Sequence, residues 1–211
     1  MALDKTMLRD QIRELIIERI LDGTYKPGER IVELQLVGEL KVSQAPVREA
    51  IRDLEAMRFV ESEPFRGARV RLITTEELAE TYPVRAALEE LAGQLAASHV
   101  DDALLKALDG ELAAMRKCAA KGQLHDQLSH DARFHEIIVE ASGNRVLLDA
   151  WRSLRIEART LVSVIKSDSN LEEIADTHQV IIDALRGGNP DEVGKDLRKH
   201  IERFGSSFTE A

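Results

Sequence analysis

Asp131 and His135 stand four residues apart in the stretch "HDARFH" (130–135), inside a run of helical periodicity. Successive residues of an α-helix turn by about 100°, so these two lie about 40° apart and one turn along, and their side chains converge. His130 lies about 140° around the helix from His135 and cannot join them. The stripe that holds the pair, Leu128, Asp131/Ala132, His135 and Ile138/Val139, is the apolar face, so both polar groups point inward. His178 sits in the series Ile174, His178, Ile181, Leu185, and His200 in Val193, Leu197, His200, Phe204. Each replaces an apolar residue on the buried face of its own helix. A buried carboxylate needs a compensating charge. A divalent cation held by neutral imidazoles supplies one, and an Asp–His hydrogen-bonded network is the competing arrangement.

A metal centre of this kind suits hydrolysis as well as sensing, with metal-bound water as nucleophile. The residues around it argue against a hydrolase. "HEIIV" (135–139) begins like HExxH but has Val139 where the second histidine belongs, and Glu136 lies about 100° around the helix from His135. There is no G-x-S-x-G, no Gly-rich phosphate loop and no dinucleotide fingerprint. A single cysteine, Cys118, excludes an internal disulfide or a cysteine-based zinc cluster and fits a reducing cytoplasm. No leader-like segment follows Met1 and no apolar run reaches the roughly 20 residues of a membrane span. The expectation is a cytoplasmic protein with no membrane partner.

The elements that position these groups are helical. Aromatic residues make up 4% of the 211 and hydrophobic residues 44%, so Leu, Ile, Val and Ala must build the core, which favours helices over a β-sandwich. From Thr75, read as an N-cap, to the end, breaks at 98–101, 121–122, 142–144, 166–170 and 186–190 divide the chain into six helices. The charge is uneven: residues 1–73 hold 13 basic and 13 acidic side chains, while the remainder carries the whole net −9. A neutral N-terminal part permits a polyanionic partner that the rest would repel.

That part reads as helix (Met7 to Leu21), helix (about Glu33 to Leu40), then "KVSQAPVREAIRDLEAMRFV". Ser43 is placed as the N-cap of a third helix, with Pro46 in its first turn, where a missing N–H costs little. Val47, Ala50, Ile51, Leu54 and Met57 make a buried stripe and leave Gln44, Arg48 and Arg52 outward. "FVESEPFRGARVRL" follows as two short strands around a turn with Pro64 and Gly67. Three helices and a hairpin in this order fit a winged helix-turn-helix, whose third helix enters the major groove, and equally a small helical bundle with an incidental hairpin.

The motif "PGERIVE…VSQAPVREAIRDLEAMRFVES…RGARV" resembles the DNA-binding domain of the GntR superfamily of bacterial transcription regulators over most of residues 7–72. Pro46 to Ala50, "PVREA", is its most specific part, and Arg66-Gly67 takes the wing-tip position. The resemblance implies DNA contacts from Ser43, Gln44, Pro46, Arg48, Arg52, Arg66 and Gly67. Two positions depart from the pattern: Leu34 stands where members often have a basic residue, and Gln44 where many have arginine. Glutamine pairs with adenine and arginine with guanine, so the operator is expected to differ.

A second resemblance covers about residues 75–208. Asp131-x3-His135, "ASGN" (141–144), His178 and His200 are similar to the FCD effector-binding domain of the FadR-like branch, whose metal-binding members hold a divalent ion at these four positions. Arg85, in "TYPVRAALEELAGQLAA", matches an arginine that faces the effector pocket there, and Arg155 and Arg159 are further candidates. On the residues alone, Arg85 also reads as a surface arginine paired with Glu89 at i,i+4.

These readings define the expectation. The fold class is mainly α: a winged helix-turn-helix over 1–73, then an all-α antiparallel bundle over 74–211 for effector binding and dimerisation. The function is a one-component regulator that binds a palindromic operator as a homodimer. A small organic acid controls it, coordinated to a divalent metal, for which the donor set suits Zn²⁺ or Ni²⁺ and leaves Mn²⁺ and Fe²⁺ open, and clamped by Arg85. A regulator for which the ion is the signal, and a metal-dependent hydrolase, are the alternatives.

Overall fold

The structure, a computed structural model, describes residues 5–21, 24–63, 67–71, 73–154, 156–167, 169–205 and 208. The chain divides into two compact units, Met1–Leu72 and Ile73–Ala211.

In the first unit, α1 (Lys5–Leu21) buries Ile12, Ile16 and Ile17 and packs on α3 (Gln44–Ala56). The contact carries an ion pair from Arg9 Nε to Asp53 Oδ2 at 3.1 Å. α2 (Glu33–Leu40) inserts Leu36, and Lys41 ends it in the left-handed region at φ 53°. Ser43 takes the N-cap position of α3 as expected, but its side chain makes no capping hydrogen bond. Val47, Ala50, Ile51 and Leu54 are buried at the i, i+3, i+4, i+7 spacing of one helix face. The two expected strands form as β2 (Val60–Glu63) and β3 (Gly67–Val70), antiparallel, with Glu61 opposite Arg69. A third strand, β1 (Arg30–Ile31), was not expected; it pairs with the other side of β3, giving the order β1-β3-β2. Two residues are too few to show an alternating pattern.

The second unit contains seven α-helices among the described residues: α4 (Thr75–Ala96), α5 (Asp102–Ala119), α6 (Leu124–Ala141), α7 (Arg145–Ser153), α8 (Ile156–Ser167), α9 (Leu171–Gly187) and α10 (Pro190–Gly205). One more forms than expected because the segment after Asn144 breaks at Leu154, a turn without the Gly, Pro, Asn or Asp found at the other breaks. The cap of α4 is Thr74, not Thr75; its hydroxyl accepts from Glu77 N at 3.2 Å. Asp101, Asn144 and Asn170 cap α5, α7 and α9 in the same way.

Leu108, Leu112 and Met115 of α5, Phe134 and Ile138 of α6, Ile181 and Leu185 of α9 and Leu197 of α10 share one core. α4 and α10 form the most extensive helix pair. Gly93 and Gly194 make their approach possible: a Cβ on Gly93 would fall 2.9 Å from Val193 Cγ1, and one on Gly194 3.0 Å from the backbone oxygen of Glu90. No helix among the described residues is long and apolar enough to cross a membrane.

Candidate functional site

α6, α9 and α10 bring Asp131, His135, His178 and His200 together, with one potential ligand atom from each within 4.8 Å of the others. All four are buried. The imidazole centroids lie 5.3 Å (His135–His178), 5.1 Å (His135–His200) and 4.5 Å (His178–His200) apart. Phe134 and Phe204 cover the cluster edge-on against His178 and His200. His130 is turned away, as its helical position requires, and its Nδ1 lies 2.7 Å from Glu111.

The proton positions follow from the partners. His178 Nδ1 donates to the carbonyl of Ile174 at 3.0 Å, the i−4 residue of its own helix. In a neutral imidazole this leaves a lone pair on Nε2, yet Nε2 lies 3.1 Å from Asp131 Oδ1 and has no hydrogen-bond partner. His135 Nδ1 lies 2.6 Å from Glu89 Oε2, and its Nε2 is buried without a partner. His200 Nδ1 is likewise buried and unpartnered. Each of the three rings thus leaves at least one buried nitrogen unsatisfied beside a carboxylate.

Burial alone would raise the carboxyl of Asp131, but His178, His135 and Arg85 together hold it well below the usual carboxylate range. The imidazole of His200 moves well below 6.5, chiefly through burial and then through His178, His135 and Arg85. A neutral imidazole and an ionised carboxylate are the ligand forms a metal needs.

Glu89, which stands behind Arg85 and His135, was not read from the sequence as part of the site. Arg85 and Glu89, one turn apart on α4, are 4% and 1% exposed and pair through Nε and Oε1 at 2.7 Å. Glu89 Oε1 also accepts from Trp151 Nε1 of α7 at 2.9 Å, while Oε2 faces His135. Against its burial, Arg85 and His135 hold the Glu89 carboxyl far below its ordinary value. A carboxylate behind a metal-ligating histidine fixes the ring and its tautomer. The i,i+4 spacing showed the Arg85–Glu89 pair, but not that both are buried or that Glu89 meets α6 and α7.

Beside the cluster lies a cavity with about 10 Å³ for the centre of a water molecule, room for about one water. Arg85, Asp131, His200, Tyr82 and Thr160 supply its polar lining. Arg85 Nη1 donates to Thr160 Oγ1 at 3.1 Å. Burial raises the Tyr82 hydroxyl above 10, so it stays protonated. Arg159 is not in this lining; its Nη2 pairs with Glu77 Oε1 at 2.7 Å. Arg155 lies outside the described residues. A larger groove of about 570 Å³ between α9 and α10 has His200 in its lining, together with Val180, Lys199 and Arg203.

In the first unit, Gln44, Arg48 and Arg52 lie exposed on α3, as does Ser43 before it. Pro46 is buried in the first turn. Gln44 Nε2 donates to Glu33 Oε2 at 2.9 Å, and Arg48 Nη2 lies 3.3 Å from the same oxygen. Gly67 starts β3 at φ 81°, with the Arg30 guanidinium 3.4 Å from where a Cβ would stand; Arg66 lies outside the described residues.

Residues 8–70 match the bacterial regulatory proteins of the gntR family, and residues 80–203 match the FCD domain. The chain belongs to the GntR family. This GntR regulator is 34% identical over 206 residues to a protein of Paenarthrobacter nicotinovorans described as a probable D-xylose utilization operon transcriptional repressor, covering 96% of this chain and 89% of that one. It is 29% identical to a gluconate operon transcriptional repressor of Bacillus licheniformis, over 87% of this chain and 78% of the relative. Among solved structures, Escherichia coli McbR/YncC superposes with a TM-score of 0.71 at 19% identity, covering 99% and 98% of the two chains. A GntR regulator from Rhodococcus sp. RHA1 gives 0.69 at 25% identity, covering 96% and 98%. The GntR protein is therefore a transcription regulator with a winged helix-turn-helix and a helical FCD domain, and not an enzyme.

Proposed function

We propose that this regulator holds a divalent metal ion at Asp131, His135, His178 and His200, and that a small carboxylate bound there controls its hold on DNA. One observation carries the reading: three buried imidazoles leave nitrogens unsatisfied around one carboxylate, with ligand atoms within 4.8 Å of one another. A proton on His178 Nε2 would satisfy that ring and Asp131 alone, whereas a divalent ion satisfies all four groups. The donor set fits such an ion: metal–ligand distances of about 2.0–2.2 Å place ligand atoms about 3–4.5 Å apart. Three imidazoles and one carboxylate suit Zn²⁺ or Ni²⁺. When bound, the ion supplies a Lewis-acid seat for a carboxylate oxygen. Arg85, at the same cavity and held by Glu89 and Thr160, places a guanidinium for the other oxygen.

The regulator is read as a homodimer on a palindromic operator, the usual match between protein and DNA symmetry. Gln44, Arg48 and Arg52 reach the major groove. Gln44 and Arg48 must first leave Glu33. The effector acts by favouring one dimer geometry over another. A second reading makes the ion itself the signal; it draws on the cavity's having room for about one water.

Elemental mass spectrometry of the purified protein, followed by a thermal-shift screen of small carboxylates with and without chelator, tests both. Stoichiometric Zn or Ni, with acid-induced shifts that vanish on chelation, is the expected result. A stoichiometric ion with no response to any acid favours metal sensing. A protein that takes up no divalent ion and still responds to its acid refutes both readings.

A further inference from the structure

The four clustered groups are not equally enclosed. His135, His178 and Asp131 are 1%, 0% and 4% exposed, whereas His200 is 8% exposed. Of the four, His200 alone lines the groove of about 570 Å³ between α9 and α10, and the same ring lines the small cavity beside the cluster. One imidazole is therefore a wall shared by the buried centre and an open groove. Elsewhere the rings are backed by packed side chains: Phe134 lies against His178, and Glu89, itself held by Arg85 and Trp151, lies against His135. Protein interiors pack to the density of organic crystals, so an ion crosses most readily where the wall is one side chain thick. The groove also admits a cation. Its lining carries three carboxylates, Glu173, Asp176 and Asp196, against two cations, Lys199 and Arg203. Asp176 is paired with Arg116, and Asp196 lies 3.9 Å from Lys199. The remaining balance is weakly acidic, which favours cations over anions near the opening.

We propose that the groove between α9 and α10 is the route by which a divalent cation enters and leaves the centre, and that the ring of His200 is its gate. The inference rests on the reading of the four groups as a metal site, and adds how the ion reaches it. Turning of the His200 side chain towards the groove opens the passage without unfolding either helix, because open space already lies on that side. Phe204, edge-on to His200 with 5.5 Å between ring centroids, must shift with it. Asp131, His135 and His178 stay on the closed side and keep the centre in place. The rate of such a side-chain motion, and not the strength of the centre, then sets how fast the ion exchanges.

Stopped-flow release of Zn²⁺ from the loaded full chain into excess chromophoric chelator, with affinity measured by competition, tests this. Val180→Trp and Lys199→Trp each add an indole at an exposed position of the lining, one from each wall. Lys199→Gln removes the same charge without the bulk and serves as the reference. The double tryptophan variant is expected to release Zn²⁺ at least about tenfold more slowly than Lys199→Gln, at the same dissociation constant. Uptake then slows by the same factor, since a blocked passage acts on entry and exit alike. An unchanged release rate overturns the inference and leaves the metal centre standing. A release rate that changes only in step with the dissociation constant reports a disturbed centre, and also overturns it. A wild type that takes up no Zn²⁺ refutes the metal reading itself, and the route falls with it.

Discussion

Replacing Glu89 with glutamine removes one charge from a carboxylate that meets Arg85, Trp151 and His135 at 2.7, 2.9 and 2.6 Å. At an effective dielectric of about 20, two unit charges about 4 Å apart attract by about 4 kcal/mol. The amide keeps one acceptor oxygen, and Asp131 remains as a second anion acting on Arg85, so part of that attraction is replaced. The expected loss of folding stability is about 3 kcal/mol, at the lower end of what breaking a buried pair costs. Urea unfolding of the metal-free protein, followed by circular dichroism, measures it. His135 also loses the carboxylate behind its Nδ1, and loss of such a partner lowers metal affinity by about 10–100-fold. Competition with a chelator of known affinity measures that separately. Arg85→Met combined with Glu89→Leu should recover much of the stability, because an apolar pair replaces a buried ion pair at little cost, while leaving metal affinity low. An unfolding midpoint and a metal affinity both unchanged in Glu89→Gln would refute the assignment of Glu89 as a support for the centre.

Three other outcomes are expected. Arg48→Ala should lower affinity for the cognate operator by about 10–100-fold and weaken discrimination at one base position; a gel-shift series over point-mutated operators reads both. Metal-free protein should lose stability as pH falls below 6.5, because His200 takes up a proton in the unfolded chain and resists it in the folded one. The slope contributed by that group is at most about 1.4 kcal/mol per pH unit, and the depressed carboxyls of Glu89 and Asp131 extend the loss below about pH 4. Denaturant midpoints from pH 8 to pH 4 test this, and Zn²⁺ should delay the fall. Gly93→Ala should destabilise by about 1–2 kcal/mol despite alanine's helix propensity, since its Cβ would press on Val193 and Leu197 in a filled core.

Much of the fold was legible because periodicity reports which face of a helix is buried. The stripe Val47, Ala50, Ile51, Leu54 marked α3, and histidines placed in the stripes of α6, α9 and α10 marked their convergence. What failed to show was whatever depends on a contact between elements or lacks punctuation. β1 exists only because β3 offers it an edge. The turn at Leu154 carries no turn residue. Glu89 reads as half of a surface pair until α6 and α7 close over it.

The hydrogen bond from Trp151 to Glu89 gives this protein its own optical probe. Trp151 is the chain's only tryptophan, so its fluorescence comes from one buried ring whose N–H ends on the carboxylate behind His135 and Arg85. Charge placed or moved at that carboxylate acts on the excited indole directly. The filling of the centre, and any acid that draws on Arg85, should therefore be visible as a change of emission in unlabelled protein, without a dye and without DNA.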